Sequence, residues 1–135
     1  MAKKTYILDT HCLIWFQENN PKIPARVMQI IQDVENKICF SQVSLFEIAI
    51  KKAIGKLPDF VGSINDLYDA AIKDDFSFLP IDNSHINAYE SVPLFNEHRD
   101  PFDRLIIATA INEDMVILSA DSNFKLYDAF VKIEW

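Results

Sequence analysis

Four carboxylates stand where alternating strands and helices would gather them. Asp9 closes the apolar run "TYILD", Glu47 lies in "SLFEIAIKKAIGK", Asp103 in "HRDPFDRLIIATA", and Asp121 directly follows "MVILSA". Each has a local explanation: Asp9 caps a helix or ends a strand, and Glu47 is the back-reaching half of a capping box with Ser44. Asp103 complements a helix dipole, and Asp121 forms a turn. As a group they predict more, because carboxylates brought within a few ångströms raise one another's pKa unless a cation sits among them. Oxygen donors without Cys or His at ligand spacing suit Mg²⁺ or Mn²⁺. Such an ion lowers the pKa of a bound water and neutralises phosphoryl oxygens, which is the chemistry of metal-assisted phosphodiester hydrolysis.

Whether the four acids meet depends on the elements that carry them. Residues 5–9 read as a short buried strand, followed by a helix over about 11–18 and, after "NNPKIP", a second over about 24–35. "KICF" is the next strand. The following helix starts at a Ser44/Glu47 capping box and stops at Gly55. "SINDLYDAAIKDD" is an amphipathic helix, "FSFLPI" a strand and "NSHINAYESV" a helix. In "HRDPFDR", Asp100 is the N-cap and Pro101 the first helical residue. "MVILSA" is a buried strand, and "VKIEW" alternates like a half-covered edge strand. Short apolar strands alternating with helices predict an α/β fold: a parallel sheet with helices on both faces. Strand C-termini and the following helix N-termini then share one edge, where ligands bind.

"YILDTHCLIWF", "SLFEIAIKKAIGKL", "HRDPFDRLIIATA" and "ILSADSNF" resemble, in order and spacing over nearly the whole chain, the PIN-domain ribonucleases, and more closely the VapC-like toxins of bacterial toxin-antitoxin pairs. The resemblance implies a three-layer α/β/α sandwich with a mostly parallel sheet, an RNA substrate, Mg²⁺ or Mn²⁺ as cofactor and a cognate antitoxin as partner. It matches Asp9, Glu47 and Asp103 to the family's core acids and Asp121 to a more variable fourth. Two positions depart from the pattern. His11 replaces a small polar residue, and Asn123 stands before Phe124 where some relatives carry another Asp.

Further residues flank the acids. Thr10, Ser44 and Ser119 orient a ligand or water, or serve as caps and strand-end hydrogen bonds. His11 adds a substrate contact. Arg99 and Arg104 meet an RNA phosphate or pair with Glu97 or Asp100, and Lys51 pairs with Glu47 one turn away. His85 and His98 read as ordinary surface or partly buried histidines, and Trp15, Phe16, Phe40 and Phe46 as core. The N-terminal helices, through Trp15 and Phe16, are a possible homodimer face.

With 135 residues, half of them hydrophobic, ten Phe and two Gly, the chain reads as a single domain over 1–135 with its own core. Cys12 and Cys39 form no CxxC and read as reduced core thiols. The net charge of -7 argues against a broad basic surface for nucleic acid but leaves room for a local metal-bridged site. "MAKKTYILD" is too short in apolar residues for a signal peptide and no stretch suits a membrane, so the expected location is the cytoplasm. Competing readings are a housekeeping nuclease, a PIN-like RNA-binding module that does not cleave, and, more remotely, a phosphoacceptor receiver domain. A receiver needs paired acids after the first strand, where "LDTH" offers one, and a Lys after the last core strand, where "LSADSN" has none.

Overall fold

The computed structural model describes residues 4–135. Strands β1 (Thr5–Leu8), β2 (Lys37–Ser41), β3 (Ser77–Leu79), β4 (Val116–Leu118) and β5 (Ile133–Glu134) form one sheet in the order β3-β2-β1-β4-β5. Every pairing is parallel. The register places Ile7 opposite Cys39 on one side and Ile117 on the other. Helices α1 (Thr10–Gln17), α2 (Ala25–Gln32), α3 (Gln42–Ala53), α4 (Ile64–Lys73), α5 (Asn83–Tyr89) and α6 (Pro101–Glu113) fill the crossovers, with a 3₁₀ turn over Ser122–Tyr127 before β5. The receiver alternative fails here, since a flavodoxin-like sheet runs 2-1-3-4-5.

Successive strand side chains point to opposite faces, and the two cores divide accordingly. Tyr6, Leu8, Ile38, Phe40 and Leu118 pack with Leu13, Val27, Ile48 and Leu67 from α1, α2, α3 and α4. Ile7, Cys39 and Ile117 pack on the other face with Ile106, Ile107 and Ala110 of α6 and with Phe124 and Tyr127. The result is the expected three-layer α/β/α sandwich. Both cysteines are free and buried, and burial pushes both thiols up, Cys39 to about 11. No helix among the described residues is long and apolar enough to cross a membrane.

Two starts decide where acids lie. Asp100 caps α6: its Oδ1 accepts from the backbone N–H groups of Phe102 and Asp103 at 2.9 and 3.0 Å, with Pro101 opening the helix. The dipole-end reading of Asp103 in the first turn agrees with this. The capping box expected at Ser44 and Glu47 does not form. Ser41, the last residue of β2, is itself the N-cap of α3 and accepts from the Val43 N–H at 3.1 Å. The strand thus runs straight into the helix, and Glu47 is freed from the helix end. At the other end Gly55, with φ of 75°, supplies the left-handed conformation that ends α3. Replacing Asp100 by Ala is expected to cost roughly 0.5–2 kcal/mol and by Asn much less, as read from urea midpoints. Equal losses in both variants would mean that the charge rather than the cap matters.

Candidate active site

β1 ends at Leu8, and the Asp9 N–H donates to the Leu118 carbonyl at 3.1 Å, so Asp9 is held beside the end of β4. It is 3% exposed. Its Oδ1 accepts from the Cys12 N–H at 2.7 Å as the α1 cap, and its Oδ2 accepts from the Ser119 hydroxyl. Ser119 Oγ also accepts from the Asp121 N–H at 3.1 Å, and Asp121 caps the 3₁₀ turn through the Asn123 N–H at 2.9 Å. Burial raises the Asp9 pKa; the Ser119 and Cys12 hydrogen bonds oppose the shift, while the Asp121 charge adds to it. Ser119 thus ties Asp9 to Asp121 across two strand ends.

Thr10 is the link to α3. Its hydroxyl lies 2.7 Å from Glu47 Oε1 and 3.0 Å from Ser44 Oγ, all three being buried. Glu47 Oε2 pairs with Lys51 Nζ at 2.8 Å, the helix pair expected from the sequence. Burial works against the Lys51 ammonium, but its bond to Glu47 and the charges of Glu47, Asp100 and Asp103 outweigh this and hold its pKa above the ordinary value. Lys51 is therefore a resident cation among acids.

Asp103 faces the same group from α6. Burial comes first among the causes that push its carboxyl up to about 7, and the charges of Asp100 and Glu47 add to it against the His98 hydrogen bond. His98 was not expected to take part. It is 4% exposed and places Nε2 3.0 Å from Asp103 Oδ2 and Nδ1 2.9 Å from the Tyr127 hydroxyl. Arg104 Nη1 reaches that same hydroxyl at 3.4 Å. A guanidinium only donates. Tyr127 accordingly accepts from Arg104, and its hydroxyl also meets His98 Nδ1 and, at 3.5 Å, the His98 carbonyl oxygen. The chain Arg104–Tyr127–His98 thus holds one Asp103 oxygen in place.

The two arginines therefore part company. Arg104 is 4% exposed and donates to the Val92 and Pro93 carbonyls at 3.1 and 2.7 Å, so its expected role at a substrate phosphate is corrected to support of the site from inside. Its charge is balanced by carbonyl and phenol oxygens, which no sequence pattern announces. Arg99 is exposed and donates to Asn96 Oδ1 at 2.8 Å, pairing with neither Glu97 nor Asp100. His85 and His98 are both buried rather than surface residues; His85 lies in a capping box with Asp82 and 3.5 Å from Glu113. Phe40 is in the core, and Trp15 and Phe16 are half-buried against it, but Phe46 is 58% exposed and touches Phe102 edge-on at 6.0 Å. Its helix turns that position outward, which a run of apolar letters does not reveal. His11 is exposed and, with Asp9, Trp15, Ala120 and Asp121, lines a cavity of about 220 Å³.

The PIN domain family matches residues 6–129. The chain belongs to the PIN-domain family. No curated protein matches it by sequence. Its fold is similar to a chain of VapBC2 from Rickettsia felis, bound to a DNA fragment from their promoter, at 16% identity and a TM-score of 0.67, over 96% of this chain and 97% of that one. It is also similar to a chain of DNA-bound VapBC from Salmonella typhimurium, at 17% identity and TM-score 0.63 over 97% of each chain. A chain of VapBC-1 from nontypeable Haemophilus influenzae gives 20% and 0.61 over 96% of each.

The acids at this edge, Asp9, Glu47, Asp103 and Asp121, offer oxygen ligands, with the hydroxyls of Thr10, Ser44 and Ser119 between them. In the arrangement seen, no three His, Cys, Asp or Glu side chains among the described residues converge on one point. A hard cation does not need three. Mg²⁺ is commonly held by one or two carboxylates with waters completing its shell. Burial raises the pKa values of Asp9 and Asp103 first, and neighbouring carboxylates add to both, a repulsion that a cation among them would relieve. The donor set fits a divalent ion.

Proposed function

We propose that this PIN-domain chain is a Mg²⁺- or Mn²⁺-dependent endoribonuclease and the toxin of a toxin-antitoxin pair. One observation carries the reading: two buried acids, Asp9 and Glu47, and the half-buried Asp103, from segments far apart in sequence, are held on the C-terminal edge of a parallel sheet. Asp9, Glu47, Asp103 and Asp121 would hold the ion, directly or through waters. When bound, the ion supplies a water of lowered pKa and positive charge for the phosphoryl oxygens.

The chain's own residues do the rest. Ser119 and the α1 backbone fix the Asp9 carboxylate, Thr10, itself bonded to Ser44, fixes one Glu47 oxygen, and His98 fixes one Asp103 oxygen. Each carboxylate is thereby held in place before a ligand arrives, which reduces the reorganisation that binding requires. Lys51 neutralises Glu47 and is placed to donate to a phosphate oxygen once the acids turn to the ion. Arg99, exposed beside α6, is the arginine left to meet the RNA backbone.

The antitoxin is read as a segment that sets Arg or Lys among these carboxylates, a geometry Lys51 already satisfies within the chain. Homodimerisation and a cytoplasmic location complete the proposal. Purified protein is expected to cut RNA with Mg²⁺ or Mn²⁺ and to stop on addition of EDTA, and either ion should raise its melting temperature. Intact RNA alongside a metal-dependent rise in melting temperature would favour a non-cleaving PIN-like binding module. Cleavage without a neighbouring antitoxin gene would favour a housekeeping nuclease.

A further inference from the structure

The cavity lined by Asp9, His11, Trp15, Ala120 and Asp121 has two unlike walls. One carries the carboxylates of Asp9 and Asp121. The other is aromatic: the rings of His11 and Trp15, one helical turn apart on α1, have centroids 5.8 Å apart, and Trp15 is backed by Trp135 at 5.9 Å. The Lys22 ammonium stands 5.3 Å from the centre of the Trp15 ring. Ala120, exposed and small, completes the lining.

We infer that this cavity is a nucleobase subsite, which takes one unpaired base next to the phosphate that an ion held at Asp9 and Asp121 would bind. The inference rests on the RNA reading above and adds which part of the RNA is gripped and by what. Aromatic faces bind bases of any identity by stacking, and a flat base fits beside rings held by their neighbours. Lys22 supplies positive charge near the aromatic wall in a chain of net charge -7, where unscreened phosphates would otherwise be repelled. A base still paired in a duplex cannot turn into a pocket lined on both sides, so the subsite selects single-stranded segments.

The test needs no hydrolysis. Trp15 and Trp135 are the two tryptophans of the chain, so W135F leaves Trp15 as the sole indole reporter. Titrating W135F with each of the four ribonucleoside 5′-monophosphates, with Mg²⁺ present, is expected to quench Trp15 emission saturably, while ribose 5-phosphate, which lacks the base, leaves it unchanged. His11 is exposed, so adding His11→Ala should spare the fold and weaken nucleotide binding roughly tenfold. In an RNA cleavage assay, the same change should raise KM more than it lowers kcat. Equal quenching by ribose 5-phosphate, no saturable quenching, or a His11→Ala titration identical to the parent would each overturn the subsite. So would quenching by a basic peptide but by no nucleotide, which would give the pocket to a protein partner. Metal-dependent RNA cleavage combined with any of these results leaves the nuclease proposal intact, whereas base-dependent quenching without cleavage keeps the subsite and removes the nuclease.

Discussion

Asp103→Asn is expected to abolish RNA cleavage while making the metal-free protein more stable at pH 8. The carboxyl is pushed up to about 7, first by burial and then by Asp100 and Glu47. An unfolded chain titrates the same group near 3.8, so between about pH 4 and 7 the folded state binds the extra proton. Stability from this group is therefore present at the acid end of that window and is lost as the pH rises through 7. The parent should lose a few kcal/mol across the window, and Asp103→Asn should flatten much of that fall, with Asp9 contributing in the same direction. Near pH 4 the two proteins should be close. Metal narrows the gap: an ion at a hundred times its Kd stabilises the parent by about 2.7 kcal/mol, and the variant should lose most of that gain. Melting curves at pH 5 and 8, with and without Mg²⁺, read all four states. A variant that keeps the full metal response would place the ion elsewhere.

Arg104 should be the costliest residue to remove among those near the site. Its guanidinium satisfies the Val92 and Pro93 carbonyls, reaches the hydroxyls of Tyr89 and Tyr127, and lies over the Tyr89 ring at 5.0 Å. Arg104→Met keeps much of the apolar stem but leaves these acceptors without a donor, at about 1–3 kcal/mol for each group that water cannot reach. A total loss of roughly 2–5 kcal/mol in urea denaturation is expected, and Arg104→Lys should recover only part, because a point charge cannot span the fork. Tyr127→Phe is the informative partner. It retains the edge-on contacts with Phe95 and His98 but cuts the chain between Arg104 and His98. It should cost less stability than Arg104→Met and still weaken metal binding, since His98, which bonds Asp103, loses the partner of its other ring nitrogen. An Arg104→Met protein as stable as the parent but weakened in RNA binding would restore the arginine to the substrate.

Strand and helix alternation made the three layers legible, since buried strands such as "YIL" and "VIL" carry no polar face and must be covered on both sides. The positions of Asp9 and Asp121 were legible for the same reason: in a parallel sheet, residues just after the strands lie on one known edge. What could not be read were features set by three-dimensional neighbours. Ser44 and Glu47 had the spacing of a capping box, yet α3 starts earlier because Ser41 serves the strand and the cap at once. His98 and Arg104 have ordinary sequence contexts, and their burial follows from loop carbonyls and a tyrosine 23 positions beyond Arg104. Phe46 and Phe40 look alike in sequence and differ because one lies on an outward helix face and the other in a central strand.

The sheet order also bears on when the chain can act during its own synthesis. β1 lies between β2 and β4, so Asp9 waits beside an empty strand position until residues 116–118 have been made. The hydroxyl that fixes it belongs to Ser119, 110 positions later. Contacts of such long separation form late and lower the folding rate, because loop-closure entropy must be overcome first. A growing chain on the ribosome therefore carries Asp9, Glu47 and Asp103 without an assembled edge, and a ribosome-bound fragment ending before β4 should hold no ion. Competence would arrive in one step, once β4 and Ser119 have joined the sheet.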